Sequence, residues 1–280
     1  MVDEIKPDQS VRRKCVVLGL RRQTYYRRKQ GHRPEEVDMY IADLLHQVTN
    51  RFVAWGFWMV FHYLRNQGHP WNHKKVYRIW KAEGLHLRLP PKRPKIRRVY
   101  QDLLAPDKLN QGWAVDFLSD WIVGPDGERV RIINIVDECS RKALWTEAFS
   151  NISAKTLIEV LDKVIAWRGK PQYIRCDNGP EFISHKLELW AQTDQEHKIE
   201  LRFIQPGKPS QNGIIERLNG TLRKECLNLE WFESIDSLNE KIQEWWNIYN
   251  SIRPHSSIGY KTPDQYEMIK KNFYSKAVAA

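Results

Sequence analysis

Residues Phe203 to Leu227 read "FIQPGKPSQNGIIERLNGTLRKECL". The segment opens as a strand, crosses a loop marked by Pro206, Gly207, Pro209 and Gly213, and continues as a basic helix. One acid, Glu216, stands in the first turns of that helix, with Arg217, Arg223 and Lys224 after it. A carboxylate among phosphate-seeking cations, just behind a flexible loop, suits a site that works on a polyanion.

Outward from this stretch, strands and helices alternate. "WAVDFLSDWIV" (113–123) and "VRIINIVDECS" (130–140) are rich in Val, Ile and aromatics, and "KALWTEAFS" (142–150) is a shorter strand. "SAKTLIEVLDKVIAWRG" (153–169) is an amphipathic helix with Ser153 as cap and Gly169 as stop. "PQYIRCD" is a strand, "SHKLELWAQTDQEH" a helix, and "IELRFIQ" a strand again; "SLNEKIQEWWNIYN" closes the body. Three successive strands, then strands alternating with helices, predict an α/β fold: a mixed sheet flanked by helices.

Three carboxylates sit where that architecture lets them converge. Asp116 interrupts the apolar run "WAVDF", Asp177 closes the strand in "YIRCDNGPEF", and Glu216 follows the loop. An acid inside an apolar strand is costly to bury unless it is paired, protonated or bound to a cation. Oxygen donors on separate rigid elements suit Mg2+ or Mn2+. Two such ions, roughly 3.5–4 Å apart, serve phosphoryl displacement with no separate nucleophile. Asp120, Asp137 and Glu181 are also acids near strand ends, and spacing alone leaves open which acids are solvated turn residues.

The charge is uneven. Residues 1–100 carry 22 Lys+Arg against 8 Asp+Glu, a net of +14, and the remaining 180 residues come to −3. A cationic third on a nearly neutral body predicts a polyanion partner, nucleic acid before membrane. "SVRRKCVVLGLRRQTYYRRK" (10–29) reads as two short helices around Gly19. "GFWMVFHYLRNQG" and "NHKKVYRIWKAEGL" form a second pair, in which Val76, Ile79 and Trp80 make an apolar face and Lys74, Lys75 and Arg78 project elsewhere, toward DNA. "RLPPKRPKIRR" (88–98), with three prolines and six cations, is an extended basic linker. The predicted division is a helical, helix–turn–helix-like DNA-binding region 1–87, a linker 88–108, a catalytic core 109–233, and a C-terminal helix and tail 234–280 packing on the core.

Other classes are excluded. No apolar run reaches the ~18 residues of a membrane span, and "MVDEIKPDQSVRRK" has no signal-peptide core; the chain reads as cytoplasmic. Cys15, Cys139, Cys176 and Cys226 are too dispersed for a zinc module or a disulfide framework and are expected to be buried thiols. No phosphate-cradling Gly-rich loop for ATP is present. The triplets at Asn151 and Asn219 that mimic glycosylation acceptors are read as chance matches.

The ordered set "WAVDF", "IRCDNGPEF" and "QPGKPSQNGIIERLNGTLRKE" resembles the integrase-like core of bacterial insertion-sequence DDE transposases. It looks most like the second-frame product, OrfB, of the third insertion-sequence family. The likeness extends to "SVRRKCVVLGL", "WNHKKVYRIW" and "WNIYNSIRPHSSIGYKTP", nearly the whole chain. It implies a ribonuclease-H-like fold, with Asp116, Asp177 and Glu216 as the metal-binding catalytic triad. It also implies cleavage at element ends by water and joining of the freed 3′-hydroxyl to target DNA. Arg223, seven residues after Glu216, matches a family position that contacts the transposon end; Asn178, Lys208, Gln211 and Asn212, with Arg217 and Lys224, are further expected DNA contacts. The resemblance further implies a homo-oligomer on DNA and an upstream-frame partner, OrfA, or a fusion with it. The alternative is an inactive DNA-binding protein or repressor derived from a transposase. The 38 residues between Asp177 and Glu216 slightly exceed the family's usual spacing. "RPHSSIGY" places His255 in a structural clasp, and Trp245-Trp246 reads as core packing.

Overall fold

The computed structural model describes residues 10–17, 19, 21–22, 25, 36–87, 106–123, 127–193, 198–205 and 209–278. They fall into two compact units, Met1–Asn50 with Asn72–Leu85, and Arg51–Trp71 with His86–Ala280. The basic linker 88–98 and most of the second short helix expected within 10–29 lie outside the described residues.

The first unit contains α1 (Val11–Val17), nearly all of α2 (Glu36–Arg51) and α4 (His73–Ala82). Ile41, Leu45 and Val48 form a buried stripe on α2, as do Val76, Ile79 and Trp80 on α4. Asn72 caps α4 by accepting from Lys74 N at 3.0 Å. Asp38 of α2 is 6% exposed and is neutralised by Lys75 Nζ at 2.9 Å and by Arg78. The sequence pairs the helix beginning at Phe57 with α4, but contacts group α4 with α2. That helix, α3 (Phe57–Asn66), belongs to the second unit. There His62 stacks on Tyr260 at 3.6 Å, and Asn66 Nδ2 donates to Tyr260 O at 3.2 Å. Its apolar sequence thus serves packing.

The second unit is built on a five-stranded sheet ordered β3-β2-β1-β4-β5. β1 (Gly112–Ile122), β2 (Glu128–Asp137) and β3 (Ala143–Phe149) form an antiparallel meander, while β4 (Tyr173–Cys176) and β5 (Glu200–Phe203) run parallel to β1. α5 (Ala154–Arg168) makes the crossover from β3 to β4, and α6 (His185–Gln192) joins β4 to β5. Then come α7 (Gly213–Leu222), one π-helical turn over Arg223–Leu227, α8 (Ile235–Ser251) and α9 (Pro263–Val278). A meander followed by parallel strands through helical crossovers is the ribonuclease-H-like arrangement expected above.

Strand alternation decides which face each helix covers. Trp113, Val115, Ile133 and Ile135 share one buried cluster with Leu157, Leu161 and Val164 of α5 and Leu187 of α6. Ala114, Ile132 and Val136 share the other with Ile215, Leu218 and Leu222 of α7 and Ile242 and Trp245 of α8. Two residues beyond Ala114, Asp116 therefore faces α7. Ser153 accepts from Thr156 N at 3.2 Å, completing a capping box that starts α5 where the sequence places it. All four cysteines are free and buried. His255 receives no catalytic setting. It is 6% exposed, its Nε2 is 3.0 Å from Tyr249 O, and burial lowers its pKa to about 3. No described helix is long and apolar enough to cross a membrane.

Gly112 has a packing role. A Cβ there would overlap the Tyr173 ring, whose hydroxyl donates to Glu138 Oε2 at 2.6 Å and whose face lies 3.8 Å from the Arg202 guanidinium. The ring cannot yield without breaking both contacts. Gly112→Ala is expected to destabilise the protein by about 1–3 kcal/mol through overpacking, read as a lowered denaturation midpoint.

Candidate active site

β1 is the central strand, and its middle carries Asp116 opposite Asn134 of β2. Asp177 follows directly on β4, the parallel neighbour of β1, and accepts from Gly179 N at 2.9 Å. Asn178 Nδ2 donates to Ile204 O at 2.9 Å, tying this loop to the end of β5. Asp116 and Asp177 line one open cleft of about 520 Å³ with Phe117, Ser119, Arg129, Arg131 and Glu181. Glu216 stands exposed on α7, which covers the Asp116 face of the sheet.

Electrostatics ties the three acids together. Burial is the first cause that pushes the Asp116 pKa up to about 6, and the charges of Asp177 and Glu216 add to it. Hydrogen bonds from Asn219 and from the Phe117 backbone oppose the rise without cancelling it. As the side chains stand, no group of three or more His, Cys, Asp or Glu among the described residues is close enough to hold a metal ion. The donor chemistry nevertheless fits a hard divalent cation: the oxygens are all carboxylate, and Asp116 feels the charges of Asp177 and Glu216, which a cation among them would relieve.

The remaining sequence-derived residues divide. Arg217 and Lys224 are exposed on the α7 side, whereas Arg223 donates Nη2 to Ser119 O at 2.9 Å and lies against β1. Gln211 Oε1 accepts from Gln205 N at 2.9 Å. Asn212 is 4% exposed, and its Oδ1 has no partner among the described residues; it is an interior group, not a surface contact. Lys208 lies outside the described residues. Lys74 is exposed, but Lys75 and Arg78 pair with Asp38, because a buried carboxylate needs them. Sequence reading missed Arg129 and Arg131 of β2, which line the cleft. Arg131 pairs with Glu181 and lies 4.7 Å over Phe117, which stacks on Phe182 at 4.5 Å. The loop that starts with Asp177 is thereby pinned to β1 and β2. Also missed was Asn219, three residues after Glu216 and so on its helix face; it donates to Asp116 Oδ2 at 2.7 Å.

Comparison with known proteins identifies the family of the chain. The integrase core domain family matches residues 106–209, a second integrase core domain family matches 197–263, and an HTH-like domain family matches 38–94. The insertion element IS407 uncharacterized 31.7 kDa protein of Burkholderia multivorans is 33% identical over 262 residues, 93% of this chain and 91% of that protein. Transposase InsD for insertion element IS2A/D/F/H/I/K of Escherichia coli is 26% identical across 85% of this chain and 81% of its own. Among solved structures, the HTLV-2 integrase catalytic core domain in complex with magnesium is 21% identical, covering 56% of this chain and 96% of that one at a TM-score of 0.41. The chain therefore belongs to the integrase-core DDE transposases of bacterial insertion elements, as a second-frame (OrfB) member of the third insertion-sequence family.

Proposed function

We propose that Asp116, Asp177 and Glu216 are the carboxylates through which this transposase holds its divalent ions, two of Mg2+ or Mn2+, for end cleavage and strand transfer. The observation that carries the assignment is that Asp116, set in the central strand, shares the cleft with Asp177 and faces α7, which carries Glu216; the charges of both acids reach Asp116. When bound, the ions supply positive charge to the attacking and leaving oxygens of the phosphodiester. Asp116 contributes a donor fixed on a central strand. Asp177 is oriented by Gly179 N–H, and Glu216 brings a long, exposed side chain from α7. Arg129 and Arg131 in the cleft, with the exposed Arg217 and Lys224, meet the DNA phosphates, and Asn178, Gln211 and Arg223 are further contacts; Lys208, outside the described residues, is assigned the same role on sequence alone. Lys74 with α4 gives the helical unit its own DNA contact, and the sheet unit carries the chemistry. The active form is a homo-oligomer on DNA in the bacterial cytoplasm, with an upstream-frame protein as partner or fusion.

The test is purified chain with an element-end duplex. Nicking and joining should appear with Mg2+ and disappear with a chelator; metal-dependent cleavage also excludes the inactive-repressor reading. End binding should weaken steeply with salt, log affinity falling by about 0.9 per phosphate contact for each unit of log salt. Arg129→Ala, measured by fluorescence anisotropy across a salt series, should flatten that slope by about one contact. A salt-independent affinity would contradict phosphate contact as the basis of binding.

A further inference from the structure

We propose that Asn134, acting through Asn219, is a positioning residue that sets Asp116 for the metal; the inference rests on the assignment of Asp116 above. Asn134 lies in the middle of β2, is 0% exposed, and sits directly opposite Asp116. Its neighbours on the same face, Ile132 and Val136, belong to an apolar cluster, so an aliphatic residue would suit the site on packing grounds alone. Instead, Asn134 Nδ2 donates to Asn219 Oδ1 at 2.8 Å, and Asn219 Nδ2 donates to Asp116 Oδ2 at 2.7 Å. Among the described residues, the Oδ1 of Asn134 is buried without a partner.

The direction of this relay is forced from its acidic end. An ionised carboxylate only accepts, so Asn219 must turn its amide nitrogen toward Asp116. Its carbonyl then faces Asn134, which must answer with its own nitrogen and leave its carbonyl unpaired in an apolar wall. Leaving such an acceptor unsatisfied costs stability and offsets what the two hydrogen bonds contribute. What it secures is orientation. With Asn134 in place, the Asn219 amide is anchored at both ends, and one oxygen of Asp116 stays bound toward α7. Without Asn134, Asn219 is held only by its bond to Asp116, its side chain can swing with the acid, and the carboxylate loses its fixed rotation. Groups of this kind behind a metal-binding side chain govern affinity by holding their ligand still.

The test uses the full chain and Asn134→Leu, with Asn134→Val as a second variant should Leu not fit. The metal-free melting temperature should change little, because the orphan carbonyl of Asn134 is gone while Asn219 Oδ1 loses its donor. Mn2+ affinity, titrated calorimetrically with the metal alone, should fall by about 10–100-fold, and end cleavage with it. In an Asn219→Leu background, the same change at Asn134 should have no further effect on Mn2+ affinity. Stability that falls in both variants with Mn2+ affinity intact, or effects of Asn134 and Asn219 that simply add, would overturn the proposal. Asp116→Asn separates the two levels. If it keeps wild-type Mn2+ affinity, the assignment of Asp116 fails and the relay with it. If it loses Mn2+ while Asn134→Leu does not, the relay alone fails.

Discussion

Asp116→Asn is expected to stabilise the metal-free protein at neutral pH while abolishing DNA nicking and joining. The folded state holds this carboxyl where burial, and then Asp177 and Glu216, resist its ionisation, pushing its pKa up to about 6 from an ordinary 3.8. The charged form therefore penalises the fold. That penalty is fully present above pH 6 and is relieved as pH falls toward the unfolded value. The gap corresponds to at most ~3 kcal/mol. The variant should melt higher than wild type at pH 7, and the difference should close near pH 4. Activity should move the other way. Polarisation of the reacting oxygens by metal is worth several kcal/mol, and at ~1.4 kcal/mol per decade the loss is on the order of 10³-fold or more. Mg2+ should raise the wild-type melting temperature, since a ligand of the folded state alone stabilises it, and should do so much less in the variant. An Asp116→Asn protein that still cleaves at the wild-type rate would remove Asp116 from the site.

The parts of the molecule legible in sequence are those written in local pattern. Alternating Val, Ile and aromatic residues mark β1 to β3, and Ser153 and Gly169 mark the ends of α5, because strand pleating and helix capping involve residues within a few positions of each other. Asp116 stood out because a charged residue in an apolar strand needs a reason. Other features depend on partners far away in the chain. Asn134 is one polar residue in a strand until α7 brings Asn219 to it, 85 positions later. Arg78 looked like a DNA-facing cation because its partner, Asp38, lies 40 residues upstream. Asp137 resembled a candidate acid at a strand end, yet it takes Ser140 N at 2.7 Å and Asn110 N at 2.7 Å and is 0% exposed. Nothing in its immediate sequence separates that role from metal binding; the donors that surround it do.

The same residue leads to the second large effect. Asp137 and Glu267 of α9 converge on Arg168, the last residue of α5. Arg168 Nη2 pairs with Glu267 and lies 3.5 Å from Asp137 Oδ2, and its side chain is 8% exposed against 0% and 6% for the acids. Arg168→Met keeps the aliphatic volume and removes the cation, stranding two interior carboxylates. Lys142, 3.4 Å from Glu267, compensates only one of them. Breaking a buried pair in this way costs about 3–5 kcal/mol. At ~2–4 °C per kcal/mol for a domain of roughly 150–250 residues, the melting temperature should drop by about 10 °C. The pH dependence identifies the cause. Burial acts to raise the Glu267 pKa, but Arg168, with Lys142 and Lys271, overcomes it and holds the group below its ordinary value. That stabilisation is present above the ordinary carboxylate pKa and is lost as pH falls through the lower folded one. The gap between wild type and Arg168→Met should therefore be widest at neutral pH and shrink on acidification. Arg168→Lys should recover only part of the loss, since a point-like ammonium cannot span both acids as a guanidinium does. Arg168→Met combined with Glu267→Met should recover part as well, because one of the two stranded charges is gone. An Arg168→Met protein that melts like wild type at pH 7 would mean that α9 is held without Arg168, by its remaining contacts such as Lys142 with Asp264 and Tyr274 with Asp107 O.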